Sequence, residues 1–118
     1  MDNETLVKGI VDALDDKKAE NVKVLDISDI SDIADHFILA TAGNPNQMDA
    51  MKDAVDEYMT RSGINARNIE GKVRENSNWI LMDYEDIIVH IFDPEAREFY
   101  DLEHIWRGGR KSAPASDL

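Results

Sequence analysis

The apolar run FILATA at residues 37–42 constrains the fold of this chain more than any other segment. A strand that is apolar almost throughout is typical of the centre of an α/β sheet, where both faces are covered. Gly43-Asn44 follows as a turn, and Pro45 then stands at the position that helices favour for proline, the first of the helix. The segment therefore predicts a buried central strand that leads directly into a helix.

Periodic apolar residues predict the elements around this strand. Helical spacing indicates two long helices, with apolar faces made of Leu6, Val7, Ile10, Val11 and Leu14 in the first and Met48, Met51, Val55, Tyr58 and Met59 in the second. Apolar and β-branched runs predict strands at 22–27, 66–70, 79–82 and 87–92, with a polar loop at 72–78. A last helix is expected from Pro94. The order α-β-β-α-β-β-β-α predicts an α/β fold, a mixed sheet of about five strands with helices packed on it.

The length of 118 residues is typical of one domain. We expect that domain at residues 1–106 and a disordered tail at 107–118, where small, polar and basic residues are frequent. Cysteine is absent, which excludes disulfides and cysteine-based zinc sites. The amino terminus is acidic and has neither a long apolar run nor a basic leader. These features predict a cytoplasmic protein.

The net charge of −12, from 25 acidic and 13 basic residues, argues against direct binding of nucleic acid. Such binding depends on Lys and Arg to neutralise phosphates. A basic partner is favoured instead, because opposite charges speed encounter. The simpler interpretation is that an acidic surface keeps the protein soluble.

The three histidines have no spacing that indicates a metal site or a general base. His36, His90 and His104 lie far apart, and no pair has the spacing of metal ligands on one helix. His90 lies inside an apolar strand and is expected to be a hydrogen-bonded sheet residue. Because no nucleophile and base can be paired either, the sequence predicts no metal and no catalytic residue.

Two further features could bind a ligand, and both have simpler interpretations. Gly43-Asn44 could bind an anion through backbone N–H groups, but it lacks the additional glycines and the lysine of nucleotide-binding loops. Asp83 and Asp86 flank a hairpin and could hold Mg²⁺, but the spacing places no third acidic ligand beside them. We therefore expect an ordinary chain reversal, solvated turn carboxylates and no cofactor.

Aromatic residues are concentrated in the last 40 residues and alternate there with carboxylates: Trp79, Tyr84, Phe92, Phe99, Tyr100 and Trp106. Rings that anchor and charges that steer are typical of a surface that binds a basic protein. For Phe92 and Phe99, a place in the core is the simpler interpretation. For Trp79 and Tyr84, which lie beside a loop and a turn, burial and exposure both stay open.

These same residues carry a resemblance to a known family. WILMDY at 79–84, the segment from Asp86 to His90, and REFYDLE at 97–103 followed by Trp106 resemble the carboxyl-terminal signature of the ribosome silencing factors, the RsfS or Iojap family. The Gly43 turn with Gln47 also matches, and the agreement runs from about residue 6 to residue 106.

The resemblance implies a bacterial factor that binds the large ribosomal subunit through its ribosomal protein numbered fourteen. By occupying that surface it blocks the small subunit from joining and represses translation. It further implies a nucleotidyltransferase-like core without the catalytic residues, and therefore a protein that is not an enzyme. Homodimers are common in the family. With the aromatic pattern, the resemblance predicts that Trp79 and Tyr84 anchor the partner. The full set of predicted partner-binding residues is Trp79, Asp83, Tyr84, Asp86, Tyr100 and Glu103.

Glu85 departs from the family pattern, which has glycine at this position. Glycine suits a turn residue with positive φ. We expect Glu85 to force another turn type and to re-aim Tyr84 and Asp86.

Two alternative functions stay open at this point. One is a metal-dependent nucleotidyltransferase-like enzyme that uses Asp83 and Asp86. The other is an assembly factor that binds ribosomal RNA through Arg107, Arg110 and Lys111.

Overall fold

The computed structural model describes residues 3–29, 32, 34–74, 77–100 and 110–111. Its elements follow in the predicted order, with one short addition at the end: α1 Asn3–Asp16, β1 Glu20–Asp26, β2 His36–Thr41, α2 Pro45–Arg61, β3 Asn68–Arg74, β4 Ser77–Asp83, β5 Ile87–Phe92, α3 Pro94–Tyr100 and β6 Arg110–Lys111. The predicted fold class, a mixed sheet with helices packed on it, is confirmed.

The strands form one sheet in the order β3-β4-β5-β2-β1-β6. β2 and β5 are parallel, whereas the pairs β1–β2, β3–β4 and β4–β5 are antiparallel. All residues of β2 after His36 are buried, as a central strand requires. β6 adds two residues beside β1 that the sequence did not indicate. The prediction of a disordered tail stays a prediction for the rest of 107–118.

The predicted polar loop at 72–78 is wrong for residues 72–74 and 77–78, which lie in strands, while residues 75 and 76 lie outside the described residues. β3 continues to Arg74 and β4 begins at Ser77, and these two residues face each other across an antiparallel pair. The reason is that β3 lies at the end of the sheet. Polar residues are tolerated in an edge strand, and charged ones protect such an edge from unwanted pairing. Polarity at this place was a feature of an edge strand, not a sign that no strand forms.

A hydrogen-bonded junction fixes the start of α2. Asn44 caps the helix by accepting a hydrogen bond from the Gln47 backbone N–H at 2.8 Å, and Pro45 follows as predicted. The Gln47 side chain accepts from the Gly43 N–H and donates to the carbonyl oxygens of Lys17 and Lys18, at 3.0 and 2.9 Å. The end of α1 is therefore held against the turn that follows β2.

The sheet separates two apolar cores. The first, which we call the helix-side core, lies under α1 and α2 and includes Ile10, Leu14, Met51, Val55 and Met82. The second core lies on the other face, where α3 packs against β4 and β5. Its buried residues are Leu25, Ile27, Ala34, Phe37, Leu39, Ile88, Phe92 and Ala96.

Candidate partner-binding face

β4 presents two large apolar side chains on the second-core side of the sheet that are only partly buried. Side chains alternate along β4. Trp79 and Leu81 pack against the second core, whereas Ile80 and Met82 point into the helix-side core. Glu70 on β3 lies directly opposite Leu81, so its exposed carboxylate shares this side. We call Trp79, Leu81 and Glu70 together the Trp79 face.

The indole of Trp79 is held by two neighbours on β5. Its Nε1–H donates a hydrogen bond to His90 Nδ1 at 3.1 Å. Its cross-strand partner is Phe92, whose ring lies nearly parallel to it at a centroid distance of 5.4 Å and an interplanar angle of 21°. The prediction that His90 is a hydrogen-bonded sheet residue is confirmed. The orientation of Trp79 is therefore set by specific contacts.

His90 is itself buried, with 4% of its surface exposed. Burial disfavours the charged imidazolium and lowers the pKa of His90 to about 4. The ring is therefore neutral near pH 7, which leaves the Nδ1 lone pair available to Trp79. Because Nδ1 accepts a hydrogen bond, Nε2 carries the proton in this neutral form. Nε2 is buried, and the described residues give it no hydrogen-bond partner.

Tyr84 does not lie with Trp79. It is buried in the helix-side core with 5% of its surface exposed, and its hydroxyl donates to Asp56 Oδ1 on α2 at 2.8 Å. Burial, and then the hydrogen bond and charge of Asp56, raise the pKa of Tyr84 above its ordinary value. The structure therefore gives Tyr84 the place of a core residue that ties the β4–β5 turn to α2, and it does not bring the two predicted anchors together.

The two turn carboxylates have different surroundings. Asp83 accepts hydrogen bonds from Arg67 Nη2 at 3.0 and 3.2 Å and from the Glu85 backbone N–H at 2.8 Å. The Asp86 side chain is exposed, while its carbonyl oxygen accepts from the N–H groups of Asp35 and His36. Asp83 thus organises the turn, and Asp86 is the predicted carboxylate that solvent reaches more freely.

Glu85 has a φ of 75°, the left-handed conformation that a glycine would adopt there. The expectation that Glu85 forces another turn type is therefore wrong. The hydrogen bond from its N–H to Asp83, together with the Tyr84 N–H bond to the Ile87 carbonyl at 2.9 Å, holds the backbone in this conformation. A side chain at positive φ carries steric strain, which these contacts offset.

The last two predicted residues lie at or beyond the end of α3. Tyr100 is the final residue of that helix, and Glu103 lies outside the described residues. The helix itself is anchored to the sheet, since Ala96 is buried and Arg97 Nη1 donates to Thr41 Oγ1 at 2.9 Å. The roles of Tyr100 and Glu103 in binding stay predictions.

The described residues offer no group of three His, Asp or Glu side chains that could hold a metal ion. Asp83, which the enzyme alternative requires, is already engaged by Arg67. In the same part of the chain, none of the helices combines the length and apolarity of a membrane-spanning segment.

Sequence reasoning missed Leu81, Glu70 and the contact between His90 and Trp79. Leu81 could have been found from strand parity, because it is two residues from Trp79 and therefore shares its side of the sheet. The pairing of Glu70 with Leu81 depends on the hairpin register, which the sequence did not indicate because its polar residues were interpreted as a loop.

The fold and this face define a small α/β protein in which a mixed sheet carries two helices on one side and a short helix with a partly exposed indole on the other. The family model described as "Ribosomal silencing factor during starvation" matches residues 1–118. The chain therefore belongs to the ribosomal silencing factor family, RsfS. The predicted resemblance is confirmed, and the family's name describes a regulatory factor associated with ribosomes.

Two relatives and one solved structure illustrate the similarity. The ribosomal silencing factor RsfS of Halalkalibacterium halodurans is 36% identical over 106 residues, covering 90% of this chain and 89% of the relative. That of Bacillus subtilis is 31% identical over 118 residues, covering 100% and 95%. A crystal structure of a protein from Chromobacterium violaceum has a TM-score of 0.83, 30% identity and coverage of 98% of this chain and 93% of that chain. The nucleotidyltransferase-like character of the core stays a prediction.

Proposed function

We propose that this protein silences ribosomes by binding the large subunit at its ribosomal protein numbered fourteen and by blocking the small subunit from joining. Membership of the ribosomal silencing factor family supports the silencing of ribosomes. The Trp79 face supplies a surface suited to binding a basic protein, since it combines a partly exposed indole with an exposed carboxylate on the same side of the sheet.

The proposed mechanism is steric and needs no chemistry on the ribosome. The molecule has a radius of gyration of 13.0 Å and extends 36 × 32 × 27 Å. A body of this thickness cannot lie between two surfaces that must touch. Silencing then requires only that, at the prevailing concentrations, binding to the large subunit is more favourable in free energy than subunit joining.

The charge of the protein supports the choice of a basic partner. The net charge of −12 attracts a basic ribosomal protein and repels exposed ribosomal RNA. Glu70 contributes an exposed carboxylate to the Trp79 face, and Asp86 adds a further one at the β4–β5 turn. We assign these carboxylates to steering and Trp79 to anchoring, because rim charges mainly change the association rate. A cytoplasmic location and a homodimer complete the proposal.

A Trp79→Ala variant tests the docking surface. Loss of a central aromatic anchor typically costs about 2–4 kcal/mol of binding free energy. We therefore expect the dissociation constant for purified large subunits, measured by co-sedimentation, to rise by about 30-fold or more.

The matched control is Ile69→Ala. Ile69 is a large apolar residue of β3 with 39% of its surface exposed, and it pairs with Met82, which points to the helix-side core. Its truncation should leave the dissociation constant unchanged within about twofold, because it lies on the other side of the sheet. Equal effects of the two variants would remove the Trp79 face from the docking surface.

A further inference from the structure

His90 is a buried polar residue in apolar surroundings. Its direct neighbours across the sheet are Leu81 and Leu39, and the rings of Phe37, Trp79 and Phe92 lie within 4.9 to 5.9 Å of its own. Within the described part of the chain, the buried polar side chains are Thr41 and His90. The Thr41 hydroxyl accepts from Arg97. An apolar side chain at position 90 would suit this apolar cluster without leaving a ring nitrogen unsatisfied.

One contact accounts for the imidazole. Nδ1 accepts the indole N–H of Trp79 at 3.1 Å, while Nε2 stays buried and unpartnered among the described residues. Leaving a buried N–H unsatisfied is unfavourable, so the stability of the fold does not by itself favour histidine here. The histidine does give the indole N–H an acceptor on the protein side of the Trp79 face.

We propose that His90 is a positioning residue for partner binding, which orients the indole of Trp79 by accepting its N–H and thereby presents the apolar edge of that ring to the partner. This inference rests on the proposed function, in which Trp79 anchors the ribosomal protein. Without an acceptor at position 90, the indole N–H turns towards water, and the ring leaves its nearly parallel contact with Phe92.

The chemistry of the partner follows from this arrangement. Because the indole N–H is already used inside the protein, the partner meets carbon atoms and the π-system of the ring. The group that fits against Trp79 is therefore an aliphatic side chain or the stem and cation of a lysine or arginine. A hydrogen-bond acceptor on the partner has no donor to meet at this ring.

A double-mutant cycle separates positioning from general packing. His90→Leu keeps an apolar side chain of similar size and removes the acceptor, so we expect the dissociation constant for purified large subunits to rise about tenfold, or about 1.4 kcal/mol. His90→Asn places an amide oxygen near the position of Nδ1 and should restore binding to within about threefold. In a Trp79→Phe background, which has no N–H to orient, His90→Leu should change the constant by less than about twofold.

The orientation itself is measured by NMR on the full chain. A Trp106→Phe background leaves Trp79 as the one indole, because the chain has two tryptophans. We expect an indole N–H that is protected from exchange and an imidazole protonated at Nε2, and His90→Leu should remove the protection. If that variant fails to fold, the His90 tautomer and the exchange protection of the Trp79 indole N–H in the Trp106→Phe protein still test the inference. Rapid exchange of the indole N–H or an Nδ1–H tautomer of His90 would overturn it.

The outcomes of the cycle are distinct. A weakening by His90→Leu that is equally large in the Trp79→Phe background means that His90 acts through packing, which overturns positioning. A folded His90→Leu protein with unchanged binding also overturns the positioning role of His90. If Trp79→Ala nevertheless weakens binding strongly, the proposed docking surface is still supported. If Trp79→Ala has no effect either, the proposed docking surface fails together with the inference.

Discussion

At the scale of single residues, the β4–β5 turn shows that a residue with a side chain can adopt a backbone conformation that favours glycine. Glu85 has a φ of 75°, although a side chain disfavours that region by about 1–2 kcal/mol. Asp83 Oδ1 accepts from the Glu85 N–H and also from Arg67, so the carboxylate connects the turn to the loop before β3. The strain is local and is balanced by neighbouring hydrogen bonds.

Glu85→Gly should stabilise the protein. The substitution removes the steric strain at positive φ but adds backbone freedom to the unfolded chain, so a net gain of about 0.5–1 kcal/mol is expected. Urea unfolding followed by circular dichroism measures it. Glu85→Ala is the control, because it removes the carboxylate and keeps the Cβ. A similar gain in both variants would assign the effect to charge and contradict the account of strain.

His90 should make the fold sensitive to mild acid. The folded pKa is lowered to about 4 from 6.5, so between these values the unfolded chain binds more protons and stability falls as pH falls. From pH 7 to pH 5 this effect amounts to about 2 kcal/mol. The described side chains that surround the ring are uncharged: Phe37, Leu39, Trp79, Leu81 and Phe92.

The measurement compares urea unfolding of the parent protein and His90→Asn at pH 7 and pH 5. Asparagine does not titrate, so the other acidic groups and histidines contribute equally to both proteins. The parent should lose about 2 kcal/mol more than the variant over this interval. Parallel losses would show that His90 is not buried in its neutral form.

At the scale of elements, α1 and α2 approach closely at one glycine. The ring of Tyr58 lies over Gly9, where a Cβ would overlap it, and its hydroxyl donates to the Thr5 carbonyl oxygen at 3.3 Å. Gln47 ties the other ends of the two helices together through the Lys17 and Lys18 carbonyl oxygens. The pair is therefore fixed at both ends over the helix-side core.

Gly9→Ala should have a more favourable effect on stability when the Tyr58 ring is absent. In the parent, the added Cβ displaces the far end of the Tyr58 side chain and its hydrogen bond to Thr5, which offsets the gain of about 1 kcal/mol in helix propensity. In a Tyr58→Ala background the overlap is absent, and the same substitution should stabilise the protein by up to about 1 kcal/mol. Thermal melting of the four proteins measures both effects. An effect of Gly9→Ala that is equal in both backgrounds would contradict the contact.

Sequence reasoning reached the elements that a strong local pattern determines. The apolar run at 37–42 and the Asn44-Pro45 junction predicted β2 and the start of α2 because burial and capping depend on adjacent residues. The β3–β4 hairpin was missed because its edge strand is polar. The sequence could have predicted that Trp79 and Tyr84 lie on opposite sides of the sheet, since residues five apart in a strand-like segment face opposite sides. The acceptor role of His90 depends on the register between β4 and β5, which only the structure supplies.

At the scale of the whole molecule, the sheet separates the core under α1 and α2 from the side that carries the proposed docking surface. The helix-side core holds α1, α2 and Tyr84, while the opposite side carries the partly exposed Trp79 and Leu81. The protein is acidic as a whole and extends 36 × 32 × 27 Å. We propose that the protein, once bound to one subunit, excludes the other by its volume.

An order-of-addition experiment on subunit joining, resolved on sucrose gradients, tests this claim most directly. Large subunits incubated with excess protein before small subunits are added should form few joined ribosomes, and Trp79→Ala should restore joining while Ile69→Ala does not. Added to ribosomes that have already joined, the same protein should have little effect until they dissociate. Undiminished joining after preincubation at saturating protein would contradict the steric account.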